Sequence, residues 1–181
     1  MDKKEILKRL GIEGLSDMQK ATSQAFANKG QDIVVLSPTG TGKTLAYLLP
    51  LSELVDTTSD DVQAVVIVPG RELALQSARV LQSMGCGIRG YASYGGRMAM
   101  DEHREMRNIL PQVVFATPGR LNDHLEKGNI SPLKIRTVVI DEFDKCLDMG
   151  FSGEMMEIMG KLKFASRHVL LSATNAESIP D

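Results

Sequence analysis

Short runs of β-branched apolar residues, each followed by a stretch of helical periodicity, recur along this chain and restrict its fold more than any other feature. Residues 32–36 (DIVVL) precede a helical stretch over 43–55, and residues 64–68 (AVVIV) precede one over 71–84. Residues 113–116 lead to a helix starting near Pro118, and residues 138–140 to one starting near Asp144. Residues 168–171 close the series, and 89–93 form a weaker strand candidate. Runs that are apolar on both faces and alternate with helices describe a mostly parallel sheet covered by helices on both faces, an α/β fold. In such sheets ligands sit beyond the carboxyl ends of the strands. The segments found there are Ser37-Pro38-Thr39-Gly40, Pro69-Gly70-Arg71, Thr117-Pro118-Gly119, Asp141-Glu142 and Ser172-Ala173-Thr174. All are polar, ionisable or turn-forming, so one edge of the sheet is expected to collect the chemistry.

The first of these segments continues as Ser37-Pro38-Thr39-Gly40-Thr41-Gly42-Lys43-Thr44. It follows a strand and opens a helix, the context a phosphate loop requires. Gly40 and Gly42 allow a close backbone approach, so that loop N–H groups and the helix dipole converge on phosphates. Lys43 is expected to reach the terminal phosphates of ATP, and the Thr44 hydroxyl to bind magnesium. The strict pattern places glycine where this chain has Ser37, so the match holds with that position relaxed. The competing account is a glycine-rich turn with a chance Lys-Thr pair.

Asp141 and Glu142 end an apolar strand. A carboxylate at that place can hold magnesium, and its neighbour can take a proton from an attacking water. The alternative has Asp141 capping the next helix and Glu142 solvated; a phosphate loop in the same chain favours the first reading. Upstream, residues 15–28 read as a helix with Ser16 as N-cap and Gln19 at the capping-box position.

The 181 residues suit a single domain spanning 1–181, and 43% hydrophobic with 24% charged residues is an ordinary globular composition. A formal net charge of −2 excludes a global positive field, so any polyanion must be held by a local patch. Cys86 and Cys146 match no metal-ligand spacing and read as reduced thiols. The charged N-terminus is not a signal peptide, and no apolar run reaches membrane-spanning length, so a cytoplasmic protein without a membrane partner is expected. Glu102, Arg104, Glu105 and Arg107 read as a solvated helix face, His103 and His124 as surface-helix residues, and Met155, Met156 and Met159 as packing.

Taken in order, these segments resemble the first RecA-like domain of a DEAD-box RNA helicase. Ser37 to Thr44 resembles motif I, Pro69-Gly70-Arg71-Glu72-Leu73-Ala74 motif Ia, and Gly95-Gly96 the GG element. Thr117-Pro118-Gly119-Arg120 matches motif Ib, Asp141-Glu142-Phe143-Asp144 resembles motif II, and Ser172-Ala173-Thr174 matches motif III. The resemblance implies a RecA-like P-loop fold that binds ATP and magnesium, with Glu142 and Lys43 serving hydrolysis and Gln19 the adenine. It implies that Asp144, Ser172 and Thr174 couple nucleotide state to domain closure. Arg71, Gly95, Gly96, Thr117, Gly119 and Arg120 would hold an RNA backbone.

Three departures stand out. Phe143 replaces the alanine of motif II, and the side chain is expected in the core, the alternative being altered packing against motif III. Gly70 replaces the threonine of motif Ia. Leu15-Ser16-Asp17-Met18 replaces the usual context of the adenine-reading glutamine. The family's second RecA-like domain, with its arginine-bearing motifs, is not in this sequence, so the chain is expected to be a monomeric part of a longer helicase with weak ATPase activity of its own. The alternative is an ATP-switched RNA-binding module with little turnover. A DNA motor is disfavoured by the resemblance alone.

Overall fold

The computed structural model describes residues 2–38 and 42–173. Its elements run α1 (Lys3–Arg9), α2 (Asp17–Ala27), β1 (Ile33–Leu36), α3 (Lys43–Leu54), β2 (Ala64–Ile67), α4 (Arg71–Met84) and β3 (Gly90–Ser93). They continue with α5 (Ala99–Ile109), β4 (Val113–Ala116), α6 (Pro118–Glu126), β5 (Thr137–Ile140), α7 (Phe143–Asp148), α8 (Ser152–Lys161) and β6 (Arg167–Ser172). The expected strands all form, including the weaker 89–93 candidate as β3.

All strand pairs are parallel, in the order β1-β6-β5-β2-β4-β3. From β1 to β2 to β3 the chain crosses the sheet in one direction; from β3 through β4 and β5 to β6 it returns. Crossovers between parallel strands are right-handed, so the outward and return connections must lie on opposite faces. The two cores show this division. One joins Ile6, Phe26, Leu48, Leu81 and Met84, from α1 to α4, to Ile33, Val66, Phe115 and Val169 of the sheet. The other joins Met106, Leu121, Phe143 and Ile158, from α5 to α8, to Val65, Ile67, Val114 and Val138. Alternate residues of each strand therefore enter different cores.

Position in the sheet also sets how apolar a strand reads. β2, β4 and β5 are buried at every residue, whereas β1, at the edge, alternates buried and exposed. Val34 and Leu36 of β1 are half-exposed on the α5–α8 face. Met155 and Met159 pack against the second core as expected, but Met156 faces outward. Cys146 is buried in that core, and burial pushes its thiol up to about 12, which keeps it protonated and unreactive. Among the described residues no helix is long and apolar enough to cross a membrane.

Candidate functional site

The strand order sorts the polar segments along the carboxyl edge of the sheet. β1, β6 and β5 bring Ser37, Ser172 and Asp141 to one half. β2, β4 and β3 bring Gly70-Arg71, Thr117 to Arg120, and Gly95-Gly96 to the other. The register aligns Leu36 with Ser172, Ile140 with Leu170, Ile67 with both Ile140 and Ala116, and Ala116 with Ser93. Ser37 N donates to Ser172 O at 3.0 Å, and Asp141 N donates to Ile67 O at 2.9 Å. The loops thus leave a hydrogen-bonded ladder from adjacent strands, about 5 Å apart. Thr39, Gly40, Thr41 and Thr174 lie outside the described residues.

In the first half, Gly42 is the N-cap of α3 at φ +80°, and no side chain caps that helix. Helix N–H groups without a capping side chain favour an anion; Lys43 and Thr44 begin the same turn. The positive φ favours glycine there, and a Cβ would come within 2.6 Å of Gln19 Nε2, so that the Gln19 side chain would have to move. Gln19 is only 8% exposed. Its Oε1 accepts from Ser16 N at 2.9 Å while Ser16 Oγ accepts from Gln19 N at 3.2 Å, completing the expected capping box. Its Nε2 donates to Gly42 O at 3.2 Å. A carboxamide has two donor hydrogens and two acceptor sites on oxygen, so these bonds leave one donor and one acceptor. Adenine offers the complementary N6 donor and N7 acceptor.

Asp141 is buried, and burial pushes its carboxyl up to about 6, against the hydrogen bond from Glu142 N at 2.9 Å; Glu142 raises it further, while Lys43 and Lys145 pull it down. An ionised carboxylate in this position is short of positive charge, and a divalent cation would supply it. Among the described residues no three carboxylate, imidazole or thiol groups gather into a cage. Glu142 occupies the left-handed region at φ 49°, ψ 49° and forms an ion pair with Lys145 at 3.3 Å. A non-glycine residue there costs about 1–3 kcal/mol and is a feature of functional sites. Asp144 follows in the first turn of α7. Phe143 is 5% exposed in the second core with Cys146 and Met155, as expected of it.

In the second half, neither α4 nor α6 has a side-chain cap; their N-caps are Gly70 and Thr117. Their first-turn N–H groups face the same edge as the exposed Gly95-Gly96 turn, whose Gly96 sits at φ +97°. The exposed Arg71 lies over the Tyr94 ring at 5.1 Å, and Arg97 lies over it at 5.2 Å.

Arg120, expected to help hold an RNA backbone, turns inward in this structure. Its guanidinium is 14% exposed and donates to Glu102 Oε1 at 3.2 Å and to Arg97 O at 2.7 Å. Glu102 is not part of a solvated face: it is 0% exposed and binds the whole half-site together. Its carboxylate accepts from Ser93 Oγ at 3.1 Å, Tyr94 N at 3.0 Å, Arg97 Nη2 at 3.3 Å and His124 Nε2 at 3.0 Å. His124 is likewise buried, and its Nδ1 lies 3.0 Å from Asn129 Nδ2. Burial pushes the Glu102 carboxyl up, but His124, Tyr94 N, Ser93 and Arg120 outweigh it and hold it below its ordinary value. Glu105 pairs with Arg97 and Tyr91, so of the four charged residues only Arg104 and Arg107 are wholly solvent-facing. Nothing local in the sequence signals this hub: Glu102 and His124, for example, lie 22 positions apart.

The family model for DEAD/DEAH box helicases matches residues 16–181. The chain belongs to this family. Among curated relatives, the chain is 37% identical over 178 residues to the ATP-dependent RNA helicase DeaD of Escherichia coli K12, covering 97% of this chain and 28% of that protein. It is 36% identical over 172 residues to the ATP-dependent RNA helicase CshA of Limosilactobacillus reuteri, covering 93% of this chain and 34% of that protein. The chain therefore spans about a third of the length of these relatives. The solved structure of Mss116p bound to ssRNA and AMP-PNP superposes with a TM-score of 0.86 at 28% identity, over 98% of this chain and 39% of that one. The fold is the RecA-like domain of the DEAD-box helicases.

In this DEAD-box domain the departure at Phe143 has a local explanation, and nothing in the structure explains the one at Gly70. Phe143 fills the core where alanine would leave a void. A Cβ on Gly70 would meet nothing within 4 Å, and its backbone is extended at φ −158°, so no steric conflict excludes the threonine of motif Ia.

Two outcomes are expected. Asp141→Asn keeps the acceptor for Glu142 N but removes the buried charge. Because the folded carboxyl titrates near 6, above its ordinary 3.8, the cost of ionising it is complete above pH 6 and disappears as pH falls toward 4. The variant should be more stable than the parent by roughly 2–3 kcal/mol at pH 8, with the difference shrinking toward pH 4.5, by urea denaturation without magnesium. A less stable variant at pH 8 would contradict the burial account. Glu102→Ala leaves two arginines and His124 without their shared acceptor and should cost about 3–5 kcal/mol, with Glu102→Gln costing less. An unchanged unfolding midpoint for Glu102→Ala would remove the hub.

Proposed function

We propose that this chain is the ATP- and magnesium-binding RecA-like half of an ATP-dependent RNA helicase, which holds an RNA backbone on the same sheet edge that holds the nucleotide. The observation that carries this reading is the spatial order of that edge: phosphate loop, Ser172 and Asp141 on one side, three phosphate-accepting turns on the other. The names of the relatives support it, as does the neighbour bound to ssRNA and AMP-PNP.

In this reading the phosphate-loop backbone and Lys43 hold the triphosphate, and Gln19 reads the adenine with its remaining donor and acceptor. Thr44 and Asp141 would hold magnesium, which when bound neutralises charge developing on the phosphates. Glu142, fixed by its strained backbone and by Lys145, orients the attacking water and takes its proton. We assign the sensing of both phosphate loop and Asp141 to Ser172, whose carbonyl accepts from Ser37 N, together with Asp144 and Thr174. On the other half, the N-termini of α4 and α6, Arg71 and the Gly95-Gly96 turn accept phosphates without reading bases. Arg120 shapes this surface through Glu102 and does not itself contact RNA.

Phosphoryl transfer of this kind gains roughly 10³–10⁵ in rate from an arginine brought against the transferring phosphate. We assign that role to a second RecA-like domain closing over the nucleotide and RNA, so this chain alone should turn ATP over slowly. The burial of Phe143 removes one motive for reading the protein as a switch with little turnover.

Calorimetric titration with ATP, ADP and GTP in magnesium tests the proposal. ATP and ADP are expected to bind more tightly than GTP, and Lys43→Ala to weaken both by tenfold or more. Equal affinity in Lys43→Ala would place the nucleotide elsewhere; binding without base preference would remove Gln19 from its role.

A further inference from the structure

The edge of the sheet opposite the helicase motifs, where the strands begin, carries a cleft of about 300 Å³. Its walls include Lys29, after α2, Lys134 and Arg136, before β5, and Arg167, at the start of β6. No acidic residue is among its lining residues. Among the described residues, neither Lys29 nor Lys134 makes an ion pair. Arg136 donates from Nη1 to Leu133 O at 2.8 Å and lies over the half-exposed Phe164 ring at 5.8 Å.

Arg167 is the telling member. It is buried, its guanidinium lies 4.9 Å over the Phe26 ring, and Nη2 donates to Asn28 O at 3.3 Å. Among the described residues, its Nη1 is buried with no hydrogen-bond partner. A buried donor without an acceptor is unfavourable, and more so on a charged group. Four cations around one cleft also repel one another, in a chain whose net charge is −2. A bound anion would relieve both costs.

We propose that this cleft is a phosphate-binding site, separate from the nucleotide and RNA motifs and on the opposite edge of the sheet. The exposed Lys29, Lys134 and Arg136 supply positive charge along the cleft. Arg167 adds a buried guanidinium whose Nη1 still lacks an acceptor, a group suited to a phosphate oxygen, and Ser166 adds a hydroxyl to the lining. The same chemistry serves two sources: a free phosphate or phosphomonoester, or a phosphodiester of an RNA strand that extends beyond the motif edge. The RNA source rests on the proposed function; the free-phosphate source does not.

The test is an amide chemical-shift titration of the ¹⁵N-labelled chain, with inorganic phosphate and a short single-stranded RNA added separately at matched ionic strength. Saturable shifts at Gly30, Lys134 and Ser166 are expected. They should weaken at least tenfold in the surface variant Lys134→Ala/Arg136→Ala, with the thermal midpoint and ATP affinity unchanged. Arg167→Lys, which keeps the charge but loses the fork, should also weaken them if it remains folded. Saturation by phosphate alone identifies a small-ligand site; saturation by RNA and not phosphate identifies the backbone as the source. Shifts that chloride reproduces, or that survive the double substitution, would mean an adventitious ion only and would overturn the proposal. Loss of RNA binding at the motif edge with phosphate still bound at this cleft would count against the proposed function and leave the cleft standing.

Discussion

Right-handed crossover between parallel strands is the constraint on which the rest of this structure depends. It sends the connections of the outward journey, β1 to β3, over one face and those of the return, β4 to β6, over the other. Because every pairing is parallel, all strands end on the same edge. Segments far apart in sequence, such as Ser37, Asp141 and Ser172, therefore meet without any of them having to pack against the others. The return journey inserts β6 between β1 and β5, which puts Ser172 between the phosphate loop and the acidic pair. In the function proposed above, that insertion is the structural basis for coupling nucleotide state to domain closure.

Two buried carboxylates show what this edge asks of the fold, and they are treated in opposite ways. Glu102 is saturated with donors, so its charge is held stable and its neighbours are fixed around it. Asp141 accepts from Glu142 N, while burial and the Glu142 charge raise its carboxyl. The first arrangement suits a scaffold; the second suits the magnesium ligand proposed above. Burial alone does not separate the two carboxylates, whereas the balance of hydrogen bonds and neighbouring charges does.

Much of this was legible in the sequence where the interactions are local. The capping box of Ser16 and Gln19 is an i to i+3 pattern, the helix from Arg71 to Met84 lies between two glycines, and the central strands are apolar at every position. The placement of Phe143 in the core followed from its apolar character. What escaped was non-local. Glu102 stands in a run of charged residues, Asp101 to Arg107, that looks like any solvated helix face, and its partners Arg120 and His124 lie on another helix. The inward turn of Arg120 followed from that hub and not from its own neighbours. Edge position, likewise, is a property of the sheet and not of the strand, so nothing in Ile33–Leu36 announced its exposed side.

The central claim is that one sheet edge is divided into a nucleotide half and an RNA half. Hydrogen–deuterium exchange with mass spectrometry measures this division directly, with magnesium ATP and single-stranded RNA added one at a time. ATP is expected to protect the segments around Gln19, Gly42 to Thr44, Asp141 and Ser172. RNA is expected to protect those around Arg71, Gly95-Gly96 and Thr117 to Gly119. Protection of one common set of segments by both ligands, or the reverse assignment, would contradict the account.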